Sequence, residues 1–147
     1  GTASADILLG EEGEDTISGN AGEDIIIGGL DDDILTGGAD GDVFVWTQMD
    51  NAVDSVTDFD ASEGDKLELR DLFDDVSGTD MSTLLDDFES GDFSGQVNGI
   101  TLSVTEDSGD STLTINKGGQ QLDINFDGAS AADIANSIIT NLEQLRE

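Results

Sequence analysis

The sequence predicts a mainly β protein: a parallel β-roll of five nonapeptide repeats over residues 1–46, then a β-rich C-terminal region with a terminal α-helix. Three observations predict it. Residues 1–45 divide without insertion into five nine-residue units, GTASADILL, GEEGEDTIS, GNAGEDIII, GGLDDDILT and GGADGDVFV. Residues 100–126 alternate apolar and polar side chains between short turns. Residues 130–145 carry apolar residues at helical spacing behind a serine.

Three columns run through the repeats. Position one is glycine (Gly1, Gly10, Gly19, Gly28, Gly37), position six is aspartate (Asp6, Asp15, Asp24, Asp33, Asp42), and position eight is apolar (Leu8, Ile17, Ile26, Leu35, Phe44). A fixed period with columns of different chemistry is a stacking architecture, whereas a flexible acidic linker has no use for a phased apolar residue. Glycine at position one is expected to supply the positive φ of a tight turn. Position four holds Gly13 and Gly22, then Asp31 and Asp40, and aspartate tolerates the left-handed region better than most residues. Thr2 and Ser4 depart from the pattern, so the first unit is the weakest.

Positions seven to nine suffice for a short strand and the other six residues for a turn, so two units complete a coil of eighteen residues. Same-side strands then stack about 4.8 Å apart. Asp6, Asp24 and Asp42 line one edge, and Asp15 and Asp33 the other. Carboxylates at that spacing repel by about 3–4 kcal/mol at an effective dielectric near 20. A hard dication taking about six to eight oxygens removes the conflict, and calcium suits irregular carboxylate and carbonyl ligands better than magnesium does. The predicted ligand set is the five aspartates with the turn residues Gly10, Gly13, Gly19, Gly22, Gly28, Gly37, Asp31 and Asp40. Pairing the units predicts three full sites (one with three, three with five, two with four), with downstream half-sites that Asp54 and Asp58 can complete.

The repeats resemble the RTX nonapeptide G-G-x-G-x-D-x-U-x, which forms a calcium-bound parallel β-roll. The segments after them are similar to the end of such rolls: Asp42 to Trp46, Asp54 to Phe59 and Asp65 to Leu69, in that order. The resemblance covers residues 1 to about 73.

Composition narrows the function. Thirty-five acids against four bases give a net charge of −31 over 147 residues. Nucleic acid and anionic lipid surfaces are therefore poor partners, since both need basic patches, and neither nucleic-acid binding nor membrane insertion is expected. The same charge opposes compaction until cations arrive. There is no cysteine, histidine or tyrosine, so disulfides, zinc sites and the commonest general bases are absent from the sequence. No catalytic site is expected, and no apolar run approaches the roughly 20 residues of a membrane span. The N-terminus lacks the features of a secretory signal and has no initiator methionine, which suggests a piece of a longer protein.

Residues 47–99 read as capping strands and an acidic connection, with a short helix around Ser82–Phe88. In residues 100–147 the inward sets Ile100, Leu102 and Val104; Leu113 and Ile115; and Leu122, Ile124 and Phe126 predict an antiparallel meander. Ser130 then caps a helix whose stripe is Ile134, Ile138, Ile139, Leu142 and Leu145. Units one, three and five are apolar at positions seven and nine (Ile7, Leu9, Ile25, Ile27, Val43, Val45), so their sheet is apolar on its outer face too. A sheet apolar on both faces is normally covered, and the C-terminal half is the expected cover.

The resemblance implies a role. It is closest to the secretion target region of large RTX adhesins: a calcium-folded module, exported by type I secretion machinery, extracellular or on the cell surface, and monomeric. The alternative it implies is the C-terminal RTX module of a secreted hydrolase, a metalloprotease or lipase. Extracellular calcium modules bind at about 10⁻⁴–10⁻³ M, so such sites stay empty in the cytosol and fill outside.

Overall fold

The computed structural model describes residues 1–146. Five strands come from the repeats: β1 (Ile7–Glu12), β2 (Thr16–Ala21), β3 (Ile25–Leu30), β4 (Ile34–Ala39) and β5 (Val43–Val45). Two more continue the winding, β6 (Val53–Val56) and β7 (Lys66–Glu68). The C-terminal half adds α1 (Gly78–Asp87), β8 (Ser94–Val97), β9 (Ile100–Asp107), β10 (Asp110–Lys117), β11 (Gln120–Phe126) and α2 (Ala131–Leu142).

Odd coils build a parallel sheet in the order β1-β3-β5-β7, in register Ile7↔Ile25↔Val43↔Lys66. Even coils build β2-β4-β6, and this sheet continues through β11, β10, β9 and β8 to seven strands. The join is a parallel pairing of β6 with β11, Ser55 opposite Asn125. The repeat strands β1–β4 are six residues long, not three: each runs past its unit into the next turn and skips one pairing at a position-one glycine, as at Gly10 between Leu9↔Ile27 and Glu11↔Gly29.

Position eight points inward as expected. Ile26, Leu35 and Phe44 are fully buried, and Val56 and Leu67 extend the column below them. From there the core runs without a break under the meander, through Leu102, Leu113, Ile124 and Phe126 to Ile134, Ile138 and Leu142 of α2. Burying each such side chain is worth about 1.5–3 kcal/mol. The Ser130 hydroxyl accepts from the Asp133 amide at 3.2 Å, and Ser77 caps α1 in the same way at 3.1 Å. Helix α1 begins at Gly78, ahead of the expected Ser82, because that cap precedes the first apolar position, Met81.

The expected cover over the odd sheet is not there. Ile7 is 68% exposed, Leu9 62% and Ile25 39%. The C-terminal half lengthens the even sheet instead, and α2 packs beside β7 at the end of the odd one. Backbone pairing of β6 with β11 satisfies both hydrogen bonds and apolar burial, which outweighs covering the exposed Ile7, Leu9 and Ile25.

Candidate metal centre

Each turn edge carries a ladder of aspartates that the backbone builds. The Asp6 amide donates to Asp24 Oδ1 at 2.7 Å, Asp24 to Asp42 Oδ1 at 2.8 Å, and Asp42 to Asp65 Oδ1 at 2.8 Å. On the other edge Asp15 donates to Asp33 Oδ1 at 2.9 Å and Asp33 to Asp54 Oδ1 at 2.9 Å. One carboxylate oxygen per coil therefore holds the coil before it.

The second oxygen is where the coils differ. Oδ2 of Asp15, Asp24, Asp33 and Asp42 is buried and has no hydrogen-bond partner among the described residues. A buried oxygen without a donor costs about 1–3 kcal/mol, more when charged. Burial, the largest cause, pushes the carboxyls of Asp33 and Asp42 above the usual range, and their neighbouring aspartates push the same way. These orphaned oxygens fit a bound cation.

Position-one glycine explains what else lies there. Its φ is not positive, contrary to expectation; the left-handed residues are at position two (Glu11, Asn20, Gly29, Gly38) and position four (Gly13, Gly22, Asp31, Asp40). A Cβ on Gly10 would run into Asp15 Oδ2 and the Gly28 carbonyl oxygen, and one on Gly19 into Asp24 Oδ2 and the Gly37 carbonyl oxygen. Gly28 and Gly37 face Asp33 and Asp42 in the same way. Glycine is required because oxygens fill the space of its side chain. Among the described residues no three acidic groups converge as a metal cluster, so carbonyls or water must complete any coordination shell.

Other predicted site residues have protein partners. Asp31 Oδ2 accepts from the Gly13 amide at 3.1 Å, and Asp40 Oδ2 from the Gly22 amide at 3.2 Å, so the position-four acids tie one coil to the next. Asp58 accepts from the amides of Gly37 and Gly38 at 2.9 and 2.8 Å, closing the last repeat turn. Asp6 Oδ2 accepts from the Thr2 amide and hydroxyl, which hold its carboxyl below the usual range. The Trp46 indole N–H donates to Asp54 Oδ2 at 2.7 Å. Asp65, which sequence reasoning did not select, receives the Asp60 amide on Oδ2 at 2.8 Å. Its signal was present: Asp54-Ser-Val56 and Asp65-Lys-Leu67 repeat the aspartate-x-apolar spacing of every unit, at intervals of 12 and 11 residues in place of nine. Burial raises Asp54 and Asp65 to about 6 despite these bonds.

A family model described as the RTX calcium-binding nonapeptide repeat, in four copies, matches residues 1–35 and 9–44. Residues 1–44 are RTX calcium-binding repeats. No curated protein matches the chain. The fold is similar to the solution structure of the AlgE6R3 subunit from the Azotobacter vinelandii mannuronan C5-epimerase, at 25% identity and a TM-score of 0.58, over 90% of this chain and 70% of that one. The RTX roll here is thus a calcium-binding module within a mainly β fold.

Proposed function

We propose that this chain is a calcium-dependent folding and type I secretion module at the C-terminal end of a larger secreted adhesin, unfolded in a low-calcium cytosol and folded outside. The observation that carries it is the row of four buried, partnerless Oδ2 atoms in a chain of net charge −31. Calcium, when bound, supplies the positive charge those oxygens lack. Asp15, Asp24, Asp33 and Asp42 hold it through Oδ2, with carbonyls such as those of Gly19, Gly28 and Gly37 beside them. Asp6, Asp31, Asp40, Asp54 and Asp58 shape and close the turns, while Gly10, Gly13 and Gly22 leave room or supply the left-handed backbone. Sites filled at about 100 times their dissociation constant add about 2.7 kcal/mol each to the folded state, so a few of them decide whether the roll exists.

Circular dichroism in EGTA is expected to show loss of β-structure that millimolar calcium restores, and a fusion ending in this chain is expected to leave a cell equipped with a type I exporter. Equal β-structure in both conditions, or retention of the fusion inside, would overturn the reading. A second reading, a module attached to a secreted enzyme, is favoured by the likeness to an epimerase subunit. The coding sequence upstream separates the two: an H-E-x-x-H or G-x-S-x-G element marks a hydrolase, and tandem β-sandwiches mark an adhesin.

A further inference from the structure

The odd sheet ends at β7, and among the described residues no strand lies beside its outer edge. The parallel ladder turns Lys66 and Glu68 toward β5, with the Lys66 amide on Asp42 O at 2.8 Å and Glu68 O taking the Trp46 amide at 3.0 Å. Leu67 and Leu69 therefore present their backbone groups the other way. The Leu69 amide is already met by a side chain standing in for a strand, Asn141 Oδ1 at 2.8 Å. The Leu67 amide and carbonyl have no partner among the described residues.

Between this edge and α2 lies an open groove of about 620 Å³. Its far wall is the polar side of α2, where Asn136, Ser137 and Thr140 line the groove and make no side-chain hydrogen bond to the described residues. Two of the chain's four bases also line it. Arg70 is committed, forked onto Glu68 at 2.9 and 2.7 Å and bonded to Gln144. Lys66 is not: of the four bases it alone makes no ion pair among the described residues, in a chain with thirty-five acids. Of the acids on the groove, Asp65 has both oxygens occupied and Asp133 sits in the first turn of α2.

We infer that this groove binds an extended peptide segment, which adds a strand to β7 at Leu67 and places an acidic side chain on Lys66. Main-chain hydrogen bonds to a free edge supply the affinity in such strand addition, and side-chain contacts supply the choice of sequence. The groove has the volume of a few residues, the hydrogen-bonding side chains of α2 meet the far side of the inserted backbone, and Lys66 reads charge. A strand taken up here also extends the sheet that carries Asp6, Asp24, Asp42 and Asp65, so it adds to the folded state of the calcium-binding roll.

The test uses the full chain with calcium and two pools of capped pentapeptides, glutamate fixed at the centre of one and lysine at the centre of the other, read by backbone amide chemical shifts. The glutamate pool is expected to shift the Leu67 amide and slow its hydrogen exchange, with affinity at least tenfold above the lysine pool. Lys66→Glu is expected to reverse that preference. Thr140→Trp, an exposed helix position, is expected to fill the groove and abolish binding with the fold intact. Binding that survives N-methylation of the peptide backbone, equal binding of free glutarate, or no response at Leu67 at millimolar peptide would each overturn the inference.

Discussion

The repeat coils and the coil that closes them use the same aspartate for different ends. In the repeats, Oδ1 of Asp24, Asp33 and Asp42 receives a neighbouring amide and Oδ2 is left without a donor. In the closing coil, Asp54 and Asp65 keep the first bond and fill the second with the Trp46 indole and the Asp60 amide. A roll whose carboxylates all waited for calcium would have no fixed end on which to wind. The closing coil is satisfied by protein donors, and it is the one joined to the meander through β6 and β11. The difference teaches where the cation is needed: at the Oδ2 atoms of the repeat coils, while the closing coil has protein donors in its place.

The largest expected effect comes from removing the metal. Chelation should release the amides of β1–β5 to fast hydrogen exchange while those of β10 and β11 stay protected longer; simultaneous loss of both regions at one calcium concentration would break the contrast. Next in size is a ligand. Asp24→Ala removes a buried Oδ2 and also the acceptor of the Asp6 amide, so it should raise the calcium midpoint well above that of Asp6→Ala, whose Oδ2 already has Thr2. The loss of one filled site is about 2.7 kcal/mol, and titrations followed by circular dichroism would reveal a reversed order.

Trp46→Phe probes the other side of the comparison. It leaves Asp54 Oδ2 buried without its donor, at a cost of about 1–3 kcal/mol. Because that donor is protein, the cost should be similar at every saturating calcium concentration, measured as a shift in denaturant midpoint. A cost that excess calcium erases would make Asp54 a ligand like the others.

The smallest effect is with pH. Asp54 and Asp65 titrate near 6 in the folded protein, above the usual aspartate value of about 3.9. The folded state then holds these protons more tightly than the unfolded chain, so the calcium-free fold carries its full penalty above pH 6 and is relieved as pH falls toward 4. Asp33 and Asp42, raised in the same direction, must lose protons to bind calcium, so the calcium midpoint should rise as acid is added. Urea titrations at about pH 7 and pH 5, with and without calcium, would show the two trends in opposite directions; parallel trends would sink the assignment of these carboxyls.

What the amino-acid sequence determined alone is whatever depends on a local period. The eighteen-residue coil, the inward column at position eight, the aspartate ladders on two edges, the meander and the Ser130-capped helix all come from spacing that hydrogen bonding and burial must respect. Tertiary structure decided the rest. Glycine at position one is a matter of oxygens arriving from the neighbouring coil, not of its own φ. Asp65 joins the ladder although its interval is 11 residues, since register is set by the strand it meets and not by the loop before it. Where the C-terminal half lies was decided by the pairing of Ser55 with Asn125 across seventy residues, a contact no local pattern encodes. A free strand edge can be satisfied by any compatible strand, and only the assembled fold chooses which.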